Sequence, residues 1–230
     1  MANPMTTLFN HFSKRSREGK NRIFSEYFPL TGRETILDLG GELGEQVQML
    51  IDTHPDKRNI TVVNIDQQHL DRITKRYPEI NVALADACEL PYADNQFDVV
   101  YSNAVIEHVG VLEDQERMAR EVMRVGKGWF VTTPNRWYPF EFHLRMPLIH
   151  WLPQSLTARA ARLWSFNHVA RHYQSGLTPD FRLLSVRQMR RLFPGSKVIA
   201  QRITFWPETI VVVGKDWGRA DATSTPESNW

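Results

Sequence analysis

The chain has 230 residues, 42% hydrophobic and 23% charged, with a formal net charge of +2 and one cysteine, Cys88. That size suits one α/β domain carrying an insertion, with enough apolar material for a sizeable core. One cysteine excludes an internal disulfide, the small net charge gives no nucleic-acid-binding field, and no run approaches the roughly 18 apolar residues of a membrane span.

The expected home is therefore the cytoplasm, extending at most to the inner face of the membrane. A basic, polar start is expected to hold an N-terminal helix. Residues 34–40 then form an apolar run ending at glycine, the pattern of a buried strand feeding a turn. Helical spacing follows over 44–52, through Val47, Leu50 and Ile51. A β-branched strand over 60–65 ends at Asp66, a polar helix spans 69–77, and a third strand over 81–85 ends at Asp86. A fourth strand over 97–101, a helix over 113–125 and a fifth strand over 129–132 continue the alternation. Such alternation implies right-handed crossovers and a mainly parallel sheet covered on both faces.

After Pro134 the pattern breaks. Residues 135–183 are rich in aromatics, proline and arginine, show no clear strand, and read as an inserted cap. A helix over 185–192 and two β-branched runs, 197–203 and 209–213, then predict an antiparallel hairpin at the sheet's end. The expected organisation is a core over 1–134, the cap over 135–183, a completing segment over 184–214, and a disordered tail over 215–230.

Open α/β sheets bind ligands at the carboxyl ends of their strands. Three successive ends carry residues suited to an adenosyl ligand. Asp38 and Leu39 lead into Gly40, Gly41, Glu42, Leu43 and Gly44, where glycines let a ligand lie against backbone. Asp66, with Gln67 beside it, can accept from both ribose hydroxyls, and Asp86 with Ala87 suits an adenine edge. A single glycine turn is usually only a turn, and an Asp ending a strand is often a helix cap. Three in this order make coincidence a poor explanation. A dinucleotide is disfavoured, because Glu42 and Glu45 stand where G-x-G-x-x-G needs glycine and a pyrophosphate must approach. S-adenosylmethionine (SAM) has no phosphate and carries a cationic sulfonium, so acidic residues are tolerable there.

These residues resemble class I SAM-dependent methyltransferases. The run from Ile36 through Gly44 is similar to their first motif, and Asp66 to the acid of their second. Asp86-Ala87, Leu90-Pro91, Phe97-Asp98-Val99-Val100 and the stretch from Ala104 to Val109 resemble the third and fourth. The branch resembled is that of small-molecule and ubiquinone-biosynthesis enzymes. The resemblance implies a Rossmann-like, seven-stranded sheet with an antiparallel last strand pair. It also implies cofactor contacts from Asp38, Gly40, Asp66, Asp86, Ala87 and Asn103. Glu42 departs from the family's middle glycine, either crowding the methionine portion or meeting its ammonium group.

For the acceptor side, methyl transfer to a hydroxyl benefits from a nearby base, commonly histidine. His108 follows the fourth strand, as a base or as a packing or capping residue. His143 opens the cap, and in an extended segment Glu141 shares its face and orients it. His150, between Ile149 and Trp151, reads as packing. Residues 135–193 hold nine arginines, no lysine, and only Glu141 and Asp180 as acids. Solvated ion pairs would account for that. So would the lining of an anionic acceptor site, with Arg136, Trp137 and Arg145 as its foremost residues. Phosphorylated or nucleotide-linked sugars and lipid-linked glycans fit this description, and residues 146–153 read as core or cap packing, with peripheral membrane contact as the alternative. The Trp-Tyr-Pro and His-Trp-Leu-Pro segments also resemble methyltransferases of bacterial surface-polysaccharide pathways. A quinone-like acceptor would leave the arginines unexplained, and Glu42 leaves open a degenerate fold serving as a partner subunit. A nucleic-acid acceptor is disfavoured, since Ser102-Asn103-Ala104-Val105 stands where amino-methylating enzymes carry Asn/Asp-Pro-Pro-Tyr.

Overall fold

The computed structural model describes residues 4–41, 50, 54–141, 146–148, 151 and 182–214. The tail, most of the cap and the predicted helix over 44–52, Leu50 apart, lie outside the described residues. Helix α1 (Pro4–Tyr27) precedes strand β1 (Ile36–Leu39), followed by β2 (Ile60–Asn64), α2 (Gln67–Arg76) and β3 (Asn81–Leu84). Then come β4 (Phe97–Asn103), a 3-10 turn (Ile106–His108), α3 (Leu112–Val125) and β5 (Gly126–Pro134). After the short strands β6 (Phe140–Glu141) and β7 (Met146–Pro147), α4 (Val186–Leu192), β8 (Lys197–Arg202) and β9 (Pro207–Gly214) close the domain.

Seven strands form one sheet in the order β3-β2-β1-β4-β5-β9-β8. The five from β3 to β5 run parallel, while β9 pairs antiparallel with both β5 and β8. The fold is therefore the Rossmann-like α/β architecture with an antiparallel last pair. Strand order reverses between β1 and β4, which opens a crevice beyond their carboxyl ends.

The two-residue period of the strands divides the core. Leu37, Val100, Val131 and Val212 face α3 and α4, packing on Met118, Val122, Met189 and Leu192. Their neighbours Ile36, Val99, Phe130, Val211 and Val213 join Leu50, Phe24 and Phe28 on the other face. The Phe24 ring stands edge-on to Tyr101 and Phe130, at 5.3 and 5.2 Å. At the outer parallel edge, α2 seals β2 with Leu70 and Ile73. Ser185 caps α4 in a capping box with Gln188.

Two expectations need correction. The stretch after Pro134 is not strandless: Phe140 pairs with Pro147 and Glu141 with Met146, a local hairpin too short to show a periodicity. Strands β4 and β5 run on to Asn103 and Pro134, past the expected 101 and 132, because their polar carboxyl ends keep their ladder partners. Among the described residues, no helix is long and apolar enough to cross a membrane.

Candidate functional site

The crevice begins at the end of β1. Gly40 has φ +72°, a left-handed conformation that favours glycine, and a β-carbon there would come within 2.6 Å of Val105. Its N–H donates to the Val63 carbonyl at 2.7 Å, which ties the turn to β2. At Gly41 a β-carbon would lie 2.6 Å from both Asp38 Oδ2 and Val62 Cγ1. The glycines thus keep clear a cradle over Asp38.

Asp38 itself is 3% exposed, and its Oδ2 has no hydrogen-bond partner among the described residues. Burial raises its pKa to about 8. Such an oxygen fits a ligand that brings a donor or a positive charge, as the methionine end of SAM does.

Asn64 was not anticipated, yet it links two of the predicted strand ends. Its Nδ2 donates to the Gly41 carbonyl at 3.0 Å, and its Oδ1 accepts from the Asp66 N–H at 2.9 Å. A polar residue closing an otherwise β-branched strand was the available signal. Asp66 caps α2, with Oδ1 accepting from the Gln68 N–H at 2.8 Å. Its Oδ2 stands 3.7 Å from His69 Nε2 on an exposed side chain. Capping therefore engages one carboxylate oxygen, while the other lies near His69. Gln67 starts the helix and donates to Asp71 at 2.8 Å, so its amide is engaged locally. Asp86 follows β3 in a turn bridged to Glu89, and its Oδ1 accepts from the Cys88 N–H at 2.8 Å. Ala87 is buried beneath it. Beside the two acids stand the exposed apolar side chains of Ile65 (76%) and Leu84 (58%).

The fourth strand end is a polar cluster. Asn103 Oδ1 accepts from Lys20 Nζ at 2.6 Å and from Thr132 Oγ1 at 2.8 Å. Ala104 turns the chain with φ +57° while its N–H donates to the Thr132 carbonyl. Glu107 is fully buried, accepting from Thr133 Oγ1 at 3.0 Å, and its carbonyl accepts from the Arg182 N–H at 2.7 Å. His108 follows on the 3-10 turn with an exposed side chain.

Beyond β5, Asn135 is buried, accepting from the Trp137 N–H and donating to the Pro207 carbonyl. That fixes the chain at the carboxyl edge of the sheet where it leaves β5. Arg136 is exposed with its guanidinium 5.6 Å from the centre of the Trp137 ring. Trp137, 60% exposed, lies 6.4 Å from the Trp151 ring, whose Nε1 donates to the Arg136 carbonyl. The backbone of Glu141 is in β6. Glu42, Gly44, His143, Arg145 and His150 lie outside the described residues. The structure therefore brings Asp38, Gly40, Gly41, Asp66 and Asn103 to one edge, with Asp86 at the end of the neighbouring β3.

Residues 37–131 match the family model described as a methyltransferase domain. A protein of Mycobacterium tuberculosis, "Probable S-adenosylmethionine-dependent methyltransferase", is 40% identical over 82 residues, 34% of this chain and 29% of that one. A similarly named protein of Mycolicibacterium smegmatis is 32% identical over 108 residues, 46% of this chain and 39% of that one. This chain thus spans less than two fifths of the length of these curated relatives. A solved SAM-dependent methyltransferase of Mesorhizobium loti superposes with a TM-score of 0.55 at 15% identity, over 85% of this chain and 96% of that one. The strand order is that of a Rossmann-like fold, and the matched stretch, which holds three of its strand ends, is similar to a methyltransferase domain.

Proposed function

We propose that this protein is a SAM-dependent methyltransferase that O-methylates an anionic sugar, nucleotide-sugar or lipid-linked glycan. The observation that carries the cofactor reading is the buried carboxylate oxygen of Asp38, unpartnered among the described residues, behind a glycine cradle. When bound there, the cofactor supplies a methyl group on a sulfonium. Asp38 would receive its cationic methionine end, Asp66 the ribose hydroxyls, and Asp86 the adenine edge, with Ile65 and Leu84 as apolar cover. The substrate reading rests on Arg136 beside exposed Trp137, where the arginine-rich segment leaves the sheet. A planar, permanently charged fork next to an aromatic platform suits phosphorylated or carboxylated sugars. A surface-polysaccharide pathway is the setting this acceptor class suggests. Peripheral contact with the inner membrane face would follow if the acceptor is lipid-linked.

Calorimetric titration with SAM and its demethylated product tests the cofactor. Transfer of labelled methyl from SAM to nucleotide-sugars, sugar phosphates and polyprenyl-linked glycans tests the acceptor, with a demethylated quinone as the competing class. Saturable SAM binding with transfer to an anionic sugar is expected. Binding without transfer to any sugar, together with transfer to the quinone, would sink the substrate reading. Absence of SAM binding would sink the whole.

A further inference from the structure

Helix α1 packs on the sheet through Phe24 and Phe28, spaced four residues apart on one face. One turn earlier on that face, where apolar packing would continue, stands Lys20. Its amine reaches Asn103 Oδ1 at the very end of β4, beside the switch point of the sheet. Thr132 Oγ1 reaches the same oxygen from β5. The Lys20 ammonium fixes the carboxamide, because it has donors only and flipping would set the NH2 against it, and the Thr132 hydroxyl supports the same orientation. That NH2 is turned away from Lys20 and Thr132, on a residue that is only partly buried.

We infer that Lys20 is a positioning residue: with Thr132 it clamps Asn103 so that the amide donors are presented to the bound cofactor. The inference rests on the reading of this crevice as a SAM site. Burial lowers the pKa of Lys20 to about 8; Glu107 after β4 and Glu208 on β9 oppose that shift, and Arg17 on α1 adds to it. The clamp is thus charged at neutral pH and loses its proton near pH 8. A lysine serving only to balance Glu107 and Glu208 would affect stability without adding an alkaline limb to cofactor affinity.

The test is calorimetric titration of SAM between pH 6.5 and 9.5 into the wild type, K20M, K20R and T132V. SAM's own α-ammonium titrates near pH 8, so affinity falls there in every variant, and the clamp is read as the further fall in the wild type. K20M should bind about tenfold more weakly at pH 7, the loss of one charge-assisted contact, and keep only the fall that SAM itself brings. K20R should stay within about threefold of wild type at pH 7 and likewise keep only that fall, because guanidinium does not titrate there. T132V should weaken binding several-fold and retain the further fall. If K20M does not melt cooperatively, K20R and T132V carry the comparison. A wild type that binds with variants indistinguishable from it, or an equally steep fall in K20R, overturns the clamp alone. A wild type that binds no SAM overturns the functional reading and the clamp with it.

Discussion

Asp38 and Asp66 stand near the carboxyl ends of adjacent strands, yet their surroundings assign them different physics. Asp38 is buried, and its pKa, raised to about 8, lies far above the unfolded carboxylate value. The folded state therefore holds a proton that the unfolded state releases. Its contribution to stability is fully present below about pH 4 and is lost as pH rises toward 8. Thermal melting of the ligand-free protein should show a midpoint falling over that interval, and Asp38→Asn should flatten the trend. A wild-type profile with no such fall would contradict the burial argument. SAM binding should oppose it, because a cation beside Asp38 favours the ionised form; affinity should rise from pH 6 to 8 in the wild type. Asp66 is exposed and half engaged as a cap. Asp66→Ala should weaken SAM binding by about 1.5–3 kcal/mol, a charge-assisted contact's worth, with some loss from uncapping α2. Unchanged affinity in a titration would remove the ribose assignment.

Among the elements, α1 divides into two working halves. Its later turns bury Phe24 and Phe28 against Tyr101 and Phe130, whereas its earlier turns carry Lys20 and Arg17 over the carboxyl ends of the strands. Phe24→Ala should cost about 3–5 kcal/mol in a denaturant titration, the usual range for a buried phenylalanine. It should also weaken SAM binding, because Lys20 is held in place by the same packing. Destabilisation with cofactor affinity intact would mean that the polar half is anchored independently, for instance through the Gln201 Nε2 bond to the Ser16 carbonyl at 2.9 Å.

At the scale of the whole molecule, the proposed transfer to a hydroxyl would use a base that meets the acceptor. His108 stands exposed just beyond β4, and His143 follows the β6 strand that holds Glu141. Replacing the true base should slow methyl transfer about 10²–10⁴-fold while leaving SAM affinity nearly unchanged. We expect the larger loss in His143→Ala. Full turnover there with loss in His108→Ala would transfer the role to His108, and normal turnover in both would point to proximity alone or to a carboxyl acceptor.

The alternation of β-branched runs with helical spacing determined the sheet and its parallel core, because the packing faces of strands and helices repeat with local periods. The placement of Asp38, Gly40, Asp66 and Asp86 was legible for a related reason: each stands within two residues of a strand end where the polarity changes. The partners of Asn64 and Lys20 were not legible, although Asn64 stood out as a polar residue closing a β-branched strand. Asn64 matters only because β2 runs beside β1 and meets the Gly41 carbonyl, and Lys20 only because α1 crosses to Asn103, 83 residues along the chain. Likewise, nothing local distinguishes Asp38, whose raised pKa follows from burial, from Asp66, whose side chain stays exposed. Periodicity and strand ends are properties of neighbouring residues. Desolvation and long-range hydrogen bonds are properties of what the fold places on top of them, and these only the tertiary structure decided.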